Sequence, residues 1–432
     1  MHSLDMKVLV IGGGAREHAL VWKLRQSPQV EHIWCIPGNA GIADLAECLD
    51  GDLGDVGRLA DLGESLRPDL TIVGPERPLV LGIADEFQRR SLRLLGPSRS
   101  AAQLEGSKVL AKEFMGRHNI PTAPAYGVFD SAVDAYTSLC EVDWPVVVKA
   151  DGLCSGKGVL VTSSPDEATA FIESLMEKGE FGEAGRRVIV EEGLTGSEIS
   201  YMVLTDGESF VPFAPARDYK RAFDGDSGPN TGGMGAISSS GLLSGELEKI
   251  IQERVVRPTI DGMAREGQKY TGFLYFGLMI TSEGPKVLEF NCRLGDPETE
   301  ALVIRMDFDL AAAAEATLSG RLAQFRMNWS PGASACVVLA AAGYPGKPQI
   351  GQEIYGLRAS EGRRDVAVFH AATRREGVNY YVSSGRALAI AAAAESSASA
   401  RLMAYQAVSR ISFEGMHYRK DIGGEASGVA GR

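Results

Sequence analysis

The hydrophobic positions near the N-terminus form short continuous runs. Lys7–Ile11 is a β-branched run that ends at Gly12–Gly14 and is followed by helical spacing over Arg16–Gln26. Further runs of this kind occur at Ile33–Pro37, Leu70–Val73 and Leu92–Leu95. Strands that are apolar on both faces and alternate with helices are typical of parallel βαβ units. The pattern predicts a doubly wound parallel-sheet domain over residues 1–105.

The pattern changes after residue 105, where shorter strands mix with helices. A helix is expected over Lys108–His118, and alternation over Ile199–Val211 predicts a hairpin that turns at Asp206–Gly207. The remaining predicted elements are strands at Tyr126–Phe129, Val146–Ala150, Gly158–Thr162, Val188–Glu191, Phe273–Thr281 and Lys286–Asn291, and helices at Asp166–Lys178, Gly245–Gly267 and Asp309–Gly320. We predict a second domain over residues 106–328, with a small lobe over about 122–190.

The last part of the chain follows a break at Ser330–Gly332. Strands are expected near Ala335–Ala340, Ala367–Thr373 and Ala387–Ala392, with a helix around Ala398–Ile411. We predict a third domain of α+β type over residues 329–432. The fold class is therefore α/β and α+β, with several domains.

Composition narrows the possible partners. The 432-residue chain is 44% hydrophobic and 23% charged, as expected for a soluble globular protein, and its net charge is −12. That charge argues against nucleic acid and anionic membranes as partners, so a phosphate-bearing ligand must be met by local cations and backbone amides. Scattered cysteines without a C-x-x-C pair, and the lack of a signal peptide or membrane span, predict a cytoplasmic protein.

Three polar side chains alternate at the end of a predicted strand. Alternation points Glu289, Asn291 and Arg293 from one face, while Leu288 and Phe290 point from the other. A carboxylate and an amide oxygen suit Mg²⁺, and a guanidinium suits phosphate. Taken alone, the pattern also fits an exposed edge strand with a surface ion pair.

A glycine-rich loop follows the strand that ends at Lys149. The loop, Ala150–Gly158, contains Gly156, Lys157 and Gly158, so its amides can cradle phosphates while the lysines supply charge. It lacks the hydroxyl residue that follows the lysine in a Walker A loop. The alternative is a flexible hairpin with two surface lysines.

Two further segments suit a nucleotide. The strand Val188–Glu191 leads to Glu198, so its edge can bind adenine and the carboxylate can bind ribose hydroxyls. Asp218–Arg221 and Gly228–Gly235 combine cations with glycines that allow close backbone approach, although a disordered surface loop would have the same composition.

In this order, these features resemble the ATP-grasp superfamily, in which Lys108 matches the first lysine. Finer motifs resemble the phosphoribosylamine–glycine ligase family, also called glycinamide ribonucleotide synthetases. These motifs are Gly12–His18, Pro37–Gly41, Gly74–Leu79, Gly228–Gly235, Gly295–Thr299, Phe369–Ala371 and Arg419–Gly423. The resemblance covers nearly the whole chain.

The resemblance implies an ATP-grasp fold between an N-terminal parallel-sheet domain and a C-terminal α+β domain. It implies an ATP-dependent ligase of purine biosynthesis that joins glycine to 5-phosphoribosylamine through a glycyl phosphate, giving glycinamide ribonucleotide, ADP and phosphate. The cofactors would be ATP and Mg²⁺, with Mn²⁺ as the alternative ion. The partners would be small-molecule substrates, and the chain would be a monomer or a weak homo-oligomer.

The resemblance also assigns roles to residues. It implies catalytic roles for Arg293, Lys149 and Asp218, and metal ligation by Glu289 and Asn291. The implied ATP-binding residues are Lys108, Lys149, Gly156, Lys157, Gly158, Glu191, Glu192, Gly193, Leu194, Glu198, Arg221 and Asn230. The implied substrate-binding residues are Gly12, Gly14, Arg16, Glu17, Asn39, Gly41, Glu76, Asp218, Arg293 and Asp296, with the substrate phosphate on the first glycine turn at a helix N-terminus.

The chain departs from the family pattern at a few positions. Ala15 replaces a glycine of the first turn, and Arg217 and Tyr219 replace the glutamine and histidine that often flank Asp218. Leu278 and Met279 lie where many ATP-grasp enzymes carry an extra metal carboxylate, which leaves two protein ligands.

Three other functions are weighed. A dinucleotide-dependent oxidoreductase fits poorly, because Glu17 stands at the third glycine of G-x-G-x-x-G and no acidic residue follows the second strand at Pro37. A non-catalytic nucleotide-binding module is disfavoured by the joint presence of Lys149, Glu289, Asn291 and Arg293. Another ATP-grasp carboxylate–amine ligase or carboxylase stays open, although the Gly295–Thr299 motif argues against it.

Overall fold

The computed structural model describes residues 5–154, 156–357 and 365–424. Its N-terminal part is a five-stranded parallel sheet in the order β3-β2-β1-β4-β5. The strands are β1 Met6–Gly12, β2 Val30–Pro37, β3 Glu47–Cys48, β4 Leu70–Val73 and β5 Leu94–Leu95. The helices are α1 Ala15–Leu24, α2 Val56–Leu66, α3 Glu76–Leu81, α4 Ile83–Arg89 and α5 Gln103–Gly106, with a 3₁₀ turn at Ile42–Asp44. The predicted parallel sheet is confirmed, because each pair of neighbouring strands in it runs parallel.

A small four-stranded sheet follows the helix α6, Lys108–Arg117. Its strands are β6 Ala125–Phe129, β7 Val146–Ala150, β8 Val159–Thr162 and β9 Val188–Glu192, in the order β6-β9-β7-β8. The helices α7 Ala132–Ser138 and α8 Pro165–Ile172, extended by a π turn at Glu173–Glu177, and a 3₁₀ turn at Gly182–Gly185 accompany it. Val146, Val148 and Val190 pack against Ile172 and form the core of this lobe.

A large antiparallel sheet follows, in the order β17-β16-β10-β12-β15-β18-β23-β20, with β11 paired to β10. Its strands are β10 Ser197–Thr205, β11 Phe210–Pro212, β12 Ala216–Asp218, β15 Gly235–Ser239, β16 Gly272–Thr281, β17 Gly284–Asn291, β18 Ala333–Ala340, β20 Val366–His370 and β23 Arg386–Ala394. Shorter strands form two further sheets, β13 Arg221–Phe223 with β14 Ser227–Asn230, and β19 Glu353–Ile354 and β21 Thr373–Glu376 with β22 Asn379–Val382.

Helices cover this sheet and join it to the N-terminal part. They are α9 Gly245–Ile251, continued by a π turn at Gln252–Val256 into α10 Arg257–Arg265, then α11 Glu298–Val303, α12 Leu310–Leu318 and α13 Ser397–Val408, with 3₁₀ turns at Ser240–Leu242 and Leu322–Gln324. The hairpin predicted at Asp206–Gly207 is confirmed, since the Asp206 side chain accepts hydrogen bonds from the amides of Glu208 and Ser209 and Gly207 has φ +84°. No helix in the described residues is both long and apolar enough to cross a membrane.

Two features differ from the sequence expectation. The run Gly228–Gly235, predicted as a loop, contributes to β14 and starts β15. The sheet also continues across the boundary predicted at residue 328, because β15 pairs antiparallel with β18. β14 pairs with β13, which lies just before it in the chain. The pairing of β15 with β18 joins distant strands, which leaves no mark in the local hydrophobic pattern, so the continuation of the sheet is not visible from the sequence. The division into three domains stays a prediction.

Candidate active site

The strand β17 carries the predicted metal ligands on one face. Glu289 lies opposite Gly277 and Asn291 lies opposite Tyr275 on the neighbouring strand. The register shifts at the next pair, where Leu278 lies opposite Val287. This bulge leaves Leu288 outside the ladder, and the Leu288 carbonyl accepts a hydrogen bond from Lys149 Nζ at 3.0 Å. The strand edge is therefore tied directly to the lysine at the end of β7.

A carboxylate between two lysines joins the small lobe to the rest of the site. Glu191 contacts Lys149 Nζ at 3.0 Å through Oε2 and Lys112 Nζ at 3.1 Å through Oε1. Lys112 Nζ also donates to the Thr122 hydroxyl and the Ala123 carbonyl, both at 2.9 Å. Glu191 is 1% exposed, so its negative charge depends on these two lysines.

Lys220 lies between two acidic side chains at the open edge of the site. Its Nζ is 3.3 Å from Glu198 Oε2 and 3.6 Å from Glu289 Oε1. The charge of Glu198 and then that of Glu289 raise the pKa of Lys220 well above its usual value, against the effect of burial. Burial also opposes ionisation of Glu289, but Lys220, Lys108 and Lys149 together lower the pKa of Glu289. The predicted metal ligand is thus held as a carboxylate.

The first glycine turn is shaped around Glu17. Glu17 accepts a hydrogen bond from the Gly14 amide at 2.6 Å and one from Arg16 Nε at 2.7 Å. A Cβ atom at Gly12 or at Gly74 would overlap the Glu17 side chain. Glycine is therefore required at both positions by the buried carboxylate, and Gly12 also has φ +130°.

Arg293 is held by two carboxylates from the N-terminal part. Its Nε is 3.1 Å from Glu76 Oε2, and its Nη2 is 3.1 Å from Glu105 Oε1. Glu105 also accepts a hydrogen bond from the Cys292 amide at 2.7 Å. Burial opposes ionisation of Glu76, but Arg293 and Arg16 lower its pKa to about 2. The guanidinium therefore has one fixed orientation above the end of β17.

Two acidic side chains lie where the large sheet meets the loop after β17. Asp218 ends β12, and its buried Oδ1 has no hydrogen-bond partner within the described part of the chain. Burial and the nearby Glu298 raise the pKa of Asp218 well above its usual value. Glu298 accepts a hydrogen bond from the Ser200 hydroxyl at 2.7 Å. A cationic or N–H group that entered here would satisfy the Asp218 oxygen.

Asp296 contacts an arginine that the sequence analysis did not consider. Arg386, the first residue of β23, places its Nη1 2.9 Å from Asp296 Oδ1 and 2.6 Å from the Gly232 carbonyl oxygen. A Cβ at Gly14 would lie 3.8 Å from Asp296 Oδ2. Asp296 and Arg386 line a cavity of about 420 Å³ between the first glycine turn and the C-terminal part.

The other predicted ATP residues lie in separate segments of the chain. Lys108 Nζ donates to the Gly152 carbonyl at 3.1 Å, and Lys157 Nζ donates to the Pro345 carbonyl at 3.0 Å. Gly156 and Gly158 lie in the same loop as Lys157, next to Ser155, which is outside the described residues. Glu192 ends β9, and Gly193 and Leu194 follow it. Arg221 and Asn230 pair across β13 and β14.

Asn39 and Gly41 have internal roles in the structure. The Asn39 side chain donates to the carbonyl oxygens of Gly13 and His370, and it accepts from the amides of Gly41 and Ile42. A Cβ at Gly41 would meet the rings of His370 and His18. Both residues connect the first glycine turn to the C-terminal part, so a substrate contact through the Asn39 side chain would compete with these bonds.

Several charged groups of the site were missed by the sequence analysis. Lys112 follows Lys108 by four residues on one helix, so spacing offered a signal for it. Lys220 belongs to the cationic segment Asp218–Arg221, to which the sequence pointed without a role for this lysine. Glu298 belongs to the family motif Gly295–Thr299, but the sequence suggested no role for this residue. Arg386 stands in an unremarkable strand, and no local signal marks it.

The donors on β17 fit a hard divalent cation. Glu289 and Asn291 present a carboxylate and an amide oxygen from one face, and Mg²⁺ usually takes one or two protein ligands with phosphate and water completing its shell. The position opposite Glu289 is Gly277, which has no side chain to add a third ligand. Within the described ranges, no group of three or more His, Cys, Asp and Glu side chains could hold a metal ion.

Comparison with known proteins gives consistent matches along the chain. Models of the phosphoribosylglycinamide synthetase N domain, ATP-grasp (A) domain and C domain match residues 6–105, 106–299 and 334–425. A phosphoribosylamine–glycine ligase from Pseudomonas aeruginosa is 47% identical, with 97% of this chain and 97% of the relative covered.

Solved structures agree with these matches. The crystal structure of phosphoribosylamine–glycine ligase from Thermotoga maritima has a TM-score of 0.81 and 32% identity, and the match covers 96% of this chain and 99% of that one. The biotin carboxylase–β-γ-ATP complex from Campylobacter jejuni has a TM-score of 0.72 at 16% identity, with 98% and 95% covered, which indicates a shared fold.

Proposed function

The chain belongs to the phosphoribosylglycinamide synthetase family, and we propose that it joins glycine to 5-phosphoribosylamine with ATP. The products are glycinamide ribonucleotide, ADP and phosphate, as in purine biosynthesis. The observation that carries the proposal is the convergence of Lys149, Glu289 and Arg293 on the end of β17, in a chain that matches the family over nearly its whole length.

The reaction has two steps that need no protein nucleophile. A carboxylate oxygen of glycine attacks the γ-phosphorus of ATP, and the bond between this phosphorus and the oxygen of the β-phosphate breaks. The products of this step are glycyl phosphate and ADP. The amine of phosphoribosylamine then attacks the glycyl carbonyl carbon, phosphate leaves, and the nitrogen loses a proton. Positioning and charge neutralisation supply the catalysis in such a transfer.

The cations of the site take up the negative charge of the first step. Lys149 is held by Glu191 and the Leu288 carbonyl, so its ammonium is a fixed point charge for the nucleotide phosphates. Arg293 is held by Glu76 and Glu105, which orients its guanidinium for the transferred phosphoryl group. Neither cation has to reorganise when charge develops.

Asp218 and Asp296 serve the glycine and the amine. The unpartnered Asp218 oxygen accepts a hydrogen bond from the ammonium group of glycine, and this positive charge lowers the pKa of the aspartate and restores its ionised form. Asp296 lies beside Gly14, where the amine substrate approaches the first glycine turn.

We propose Mg²⁺ as the cofactor, with Mn²⁺ as the alternative ion, held by Glu289 and Asn291. When bound, the ion neutralises phosphate charge. Lys108, Glu198, Arg221 and Asn230 bind the nucleotide, together with the loop Gly156–Gly158 and the segment Glu191–Leu194. Gly12, Gly14, Arg16, Glu17, Asn39, Gly41 and Glu76 bind the amine substrate.

We propose further that the protein works in the cytoplasm as a monomer or weak homo-oligomer, without nucleic acid or membrane partners. The division at residues 105 and 328 belongs to the same proposal. Light scattering coupled to size-exclusion chromatography at several concentrations measures the oligomeric state, and a stable tetramer would contradict the proposal.

The deciding experiment measures ADP release with Mg-ATP. Glycine and freshly generated phosphoribosylamine are supplied together and separately, with bicarbonate, alanine and other amines as alternatives. ADP release that requires both substrates, with glycinamide ribonucleotide as product, supports the proposal. Turnover with bicarbonate or with another acid would instead assign the site to a different ligase or carboxylase.

A further inference from the structure

We propose that Arg386 makes the site specific for a phosphorylated amine, by binding the 5-phosphate of phosphoribosylamine from the C-terminal part of the chain. The inference rests on the proposed function. It adds a third region of the chain to a substrate site that the sequence places on the N-terminal glycine turn and the ATP-grasp domain.

The orientation of Arg386 is fixed through one nitrogen. Its Nη1 is bound to the Asp296 carboxylate at 2.9 Å and to the Gly232 carbonyl at 2.6 Å, with longer contacts of 3.3 Å to the carbonyl oxygens of Gly233 and Asp296. All recorded polar contacts of this guanidinium with described residues use Nη1. Nε and Nη2 therefore keep their N–H groups for a ligand.

The guanidinium lines the cavity of about 420 Å³ that also reaches Gly13, Gly14 and Ala15. This volume is within the usual range for small-molecule sites. Gly14 directly precedes the ten-residue helix α1, whose N-terminus favours an anion. Asp296 connects the two walls, because it binds Arg386 and lies beside Gly14.

The charges of the cavity favour a phosphate. The charged side chains along its wall are Arg386, Asp296 and Lys157, which sum to one positive charge. Lys157 reaches the cavity from the Gly156–Gly158 loop and donates to the carbonyl of Pro345, another wall residue. A guanidinium with two free N–H groups binds phosphate oxygens in a fork, which a ribose hydroxyl cannot match in strength.

The test separates binding from turnover by using ribose 5-phosphate as a stable probe and ribose as its unphosphorylated control. Calorimetry on the wild type, on Arg386→Lys and on Arg386→Met gives the affinities, and steady-state kinetics give KM for each substrate. The matched control is Arg374→Met, because Arg374 is an exposed arginine of β21 that packs on Tyr381 away from the cavity.

We expect both Arg386 variants to bind ribose 5-phosphate about 10- to 100-fold more weakly, as loss of hydrogen bonds to a charged group predicts. KM for phosphoribosylamine should rise by a similar factor, while KM for ATP and glycine and the affinity for ribose stay within about 3-fold. Lys should not rescue Arg, because an ammonium lacks the fork. Arg374→Met should behave as wild type.

Unchanged affinity for ribose 5-phosphate in a folded Arg386 variant would overturn the inference, as would an equal loss for ribose. A rise in KM for ATP instead would assign the arginine to the nucleotide phosphates. If wild type binds ribose 5-phosphate through Arg386 but makes no product from glycine and phosphoribosylamine, the proposed function fails and the phosphate site stands. If neither Arg386 variant folds, the affinity of Lys157→Met for ribose 5-phosphate is measured instead. An affinity equal to that of the wild type would contradict the cavity as the phosphate site.

Discussion

The two sides of the site are built differently. The nucleotide side consists of Lys112, Lys149, Glu191, Lys220, Glu289 and Arg293, and the amine side consists of Gly12–Glu17, Asp296 and Arg386. On the nucleotide side, cations and carboxylates alternate at 3.0 to 3.6 Å along strand ends. On the amine side, contacts join segments far apart in sequence, such as Asp296 with Arg386.

The difference shows what each side tolerates. The nucleotide side depends on charge pairing, so a neutral substitution there leaves a partner charge without its counterion. The amine side depends on close backbone approach around Glu17, so an added methyl group at a glycine displaces a buried carboxylate. Substitutions should therefore act through charge on the nucleotide side and through shape on the amine side.

The largest effect is expected from Glu289→Gln, which removes a carboxylate from the nucleotide side. Loss of a charged metal ligand should lower kcat/KM for Mg-ATP by about 100-fold or more. This loss is larger than the one expected when a residue that hydrogen-bonds to a metal ligand is removed. ADP release across a Mg²⁺ titration measures it. The matched control is Glu283→Gln on the same hairpin, where the exposed carboxylate pairs with Lys286. Equal activity of both variants would show that Glu289 does not serve the metal.

Lys112→Met tests the charge network behind the nucleotide. Glu191 would lose one of its two ammonium partners, and the Thr122 and Ala123 oxygens would lose a donor. We expect the free energy of unfolding to fall by about 1–3 kcal/mol and KM for ATP to rise while KM for glycine does not.

Urea unfolding and steady-state kinetics measure these changes. The control is Lys178→Met in the small lobe, since Lys178 pairs with the exposed Glu173 and should leave both quantities unchanged. A rise in KM for glycine alone would contradict the role of Lys112 on the nucleotide side.

Gly74→Ala tests shape on the amine side. Its Cβ would overlap the Glu17 carboxylate, so we expect a loss of about 1–3 kcal/mol in the free energy of unfolding and a higher KM for phosphoribosylamine. The paired control is Gly116→Ala in α6, where a Cβ meets nothing within 4 Å. That helix should gain up to about 1 kcal/mol. Similar stabilities of the two variants would show that the packing around Glu17 is loose.

The smallest effect concerns pH and the contact between the first helix and the C-terminal part. His18 accepts a hydrogen bond from the His370 amide, and burial lowers the pKa of His18 to about 3 and that of His370 to about 4. Unfolded histidines bind a proton below about pH 6.5, whereas these folded ones do not. Stability is therefore complete above about pH 6.5 and falls as the pH drops toward 4.

Each histidine contributes at most about 1.4 kcal/mol per pH unit to this loss. Urea unfolding between pH 7.5 and 4.5 should show a shallower pH dependence for His18→Asn than for the wild type, whatever their stabilities at pH 7.5. Identical slopes would mean that the His18 ring titrates normally in the folded protein.

The secondary-structure elements and the chemistry of the strand ends follow from local sequence. Lys7–Ile11 and Val146–Lys149 read as buried strands because hydrophobic periodicity is a local property, and Glu289 and Asn291 share a face because side chains alternate along any strand. The reaction was then predicted from the family motifs. Lys112 was within reach of the same reasoning, through its helical spacing from Lys108.

Which distant groups meet depends on how the strands and helices pack together. The pairing of β15 with β18 continues the large sheet past residue 328, and it brings Arg386, on the second strand beyond β15, to Asp296 and the first glycine turn. The bulge that turns the Leu288 carbonyl toward Lys149 likewise depends on strand register. Register and sheet order follow from the packing of the whole core, so no local pattern in the chain encodes them.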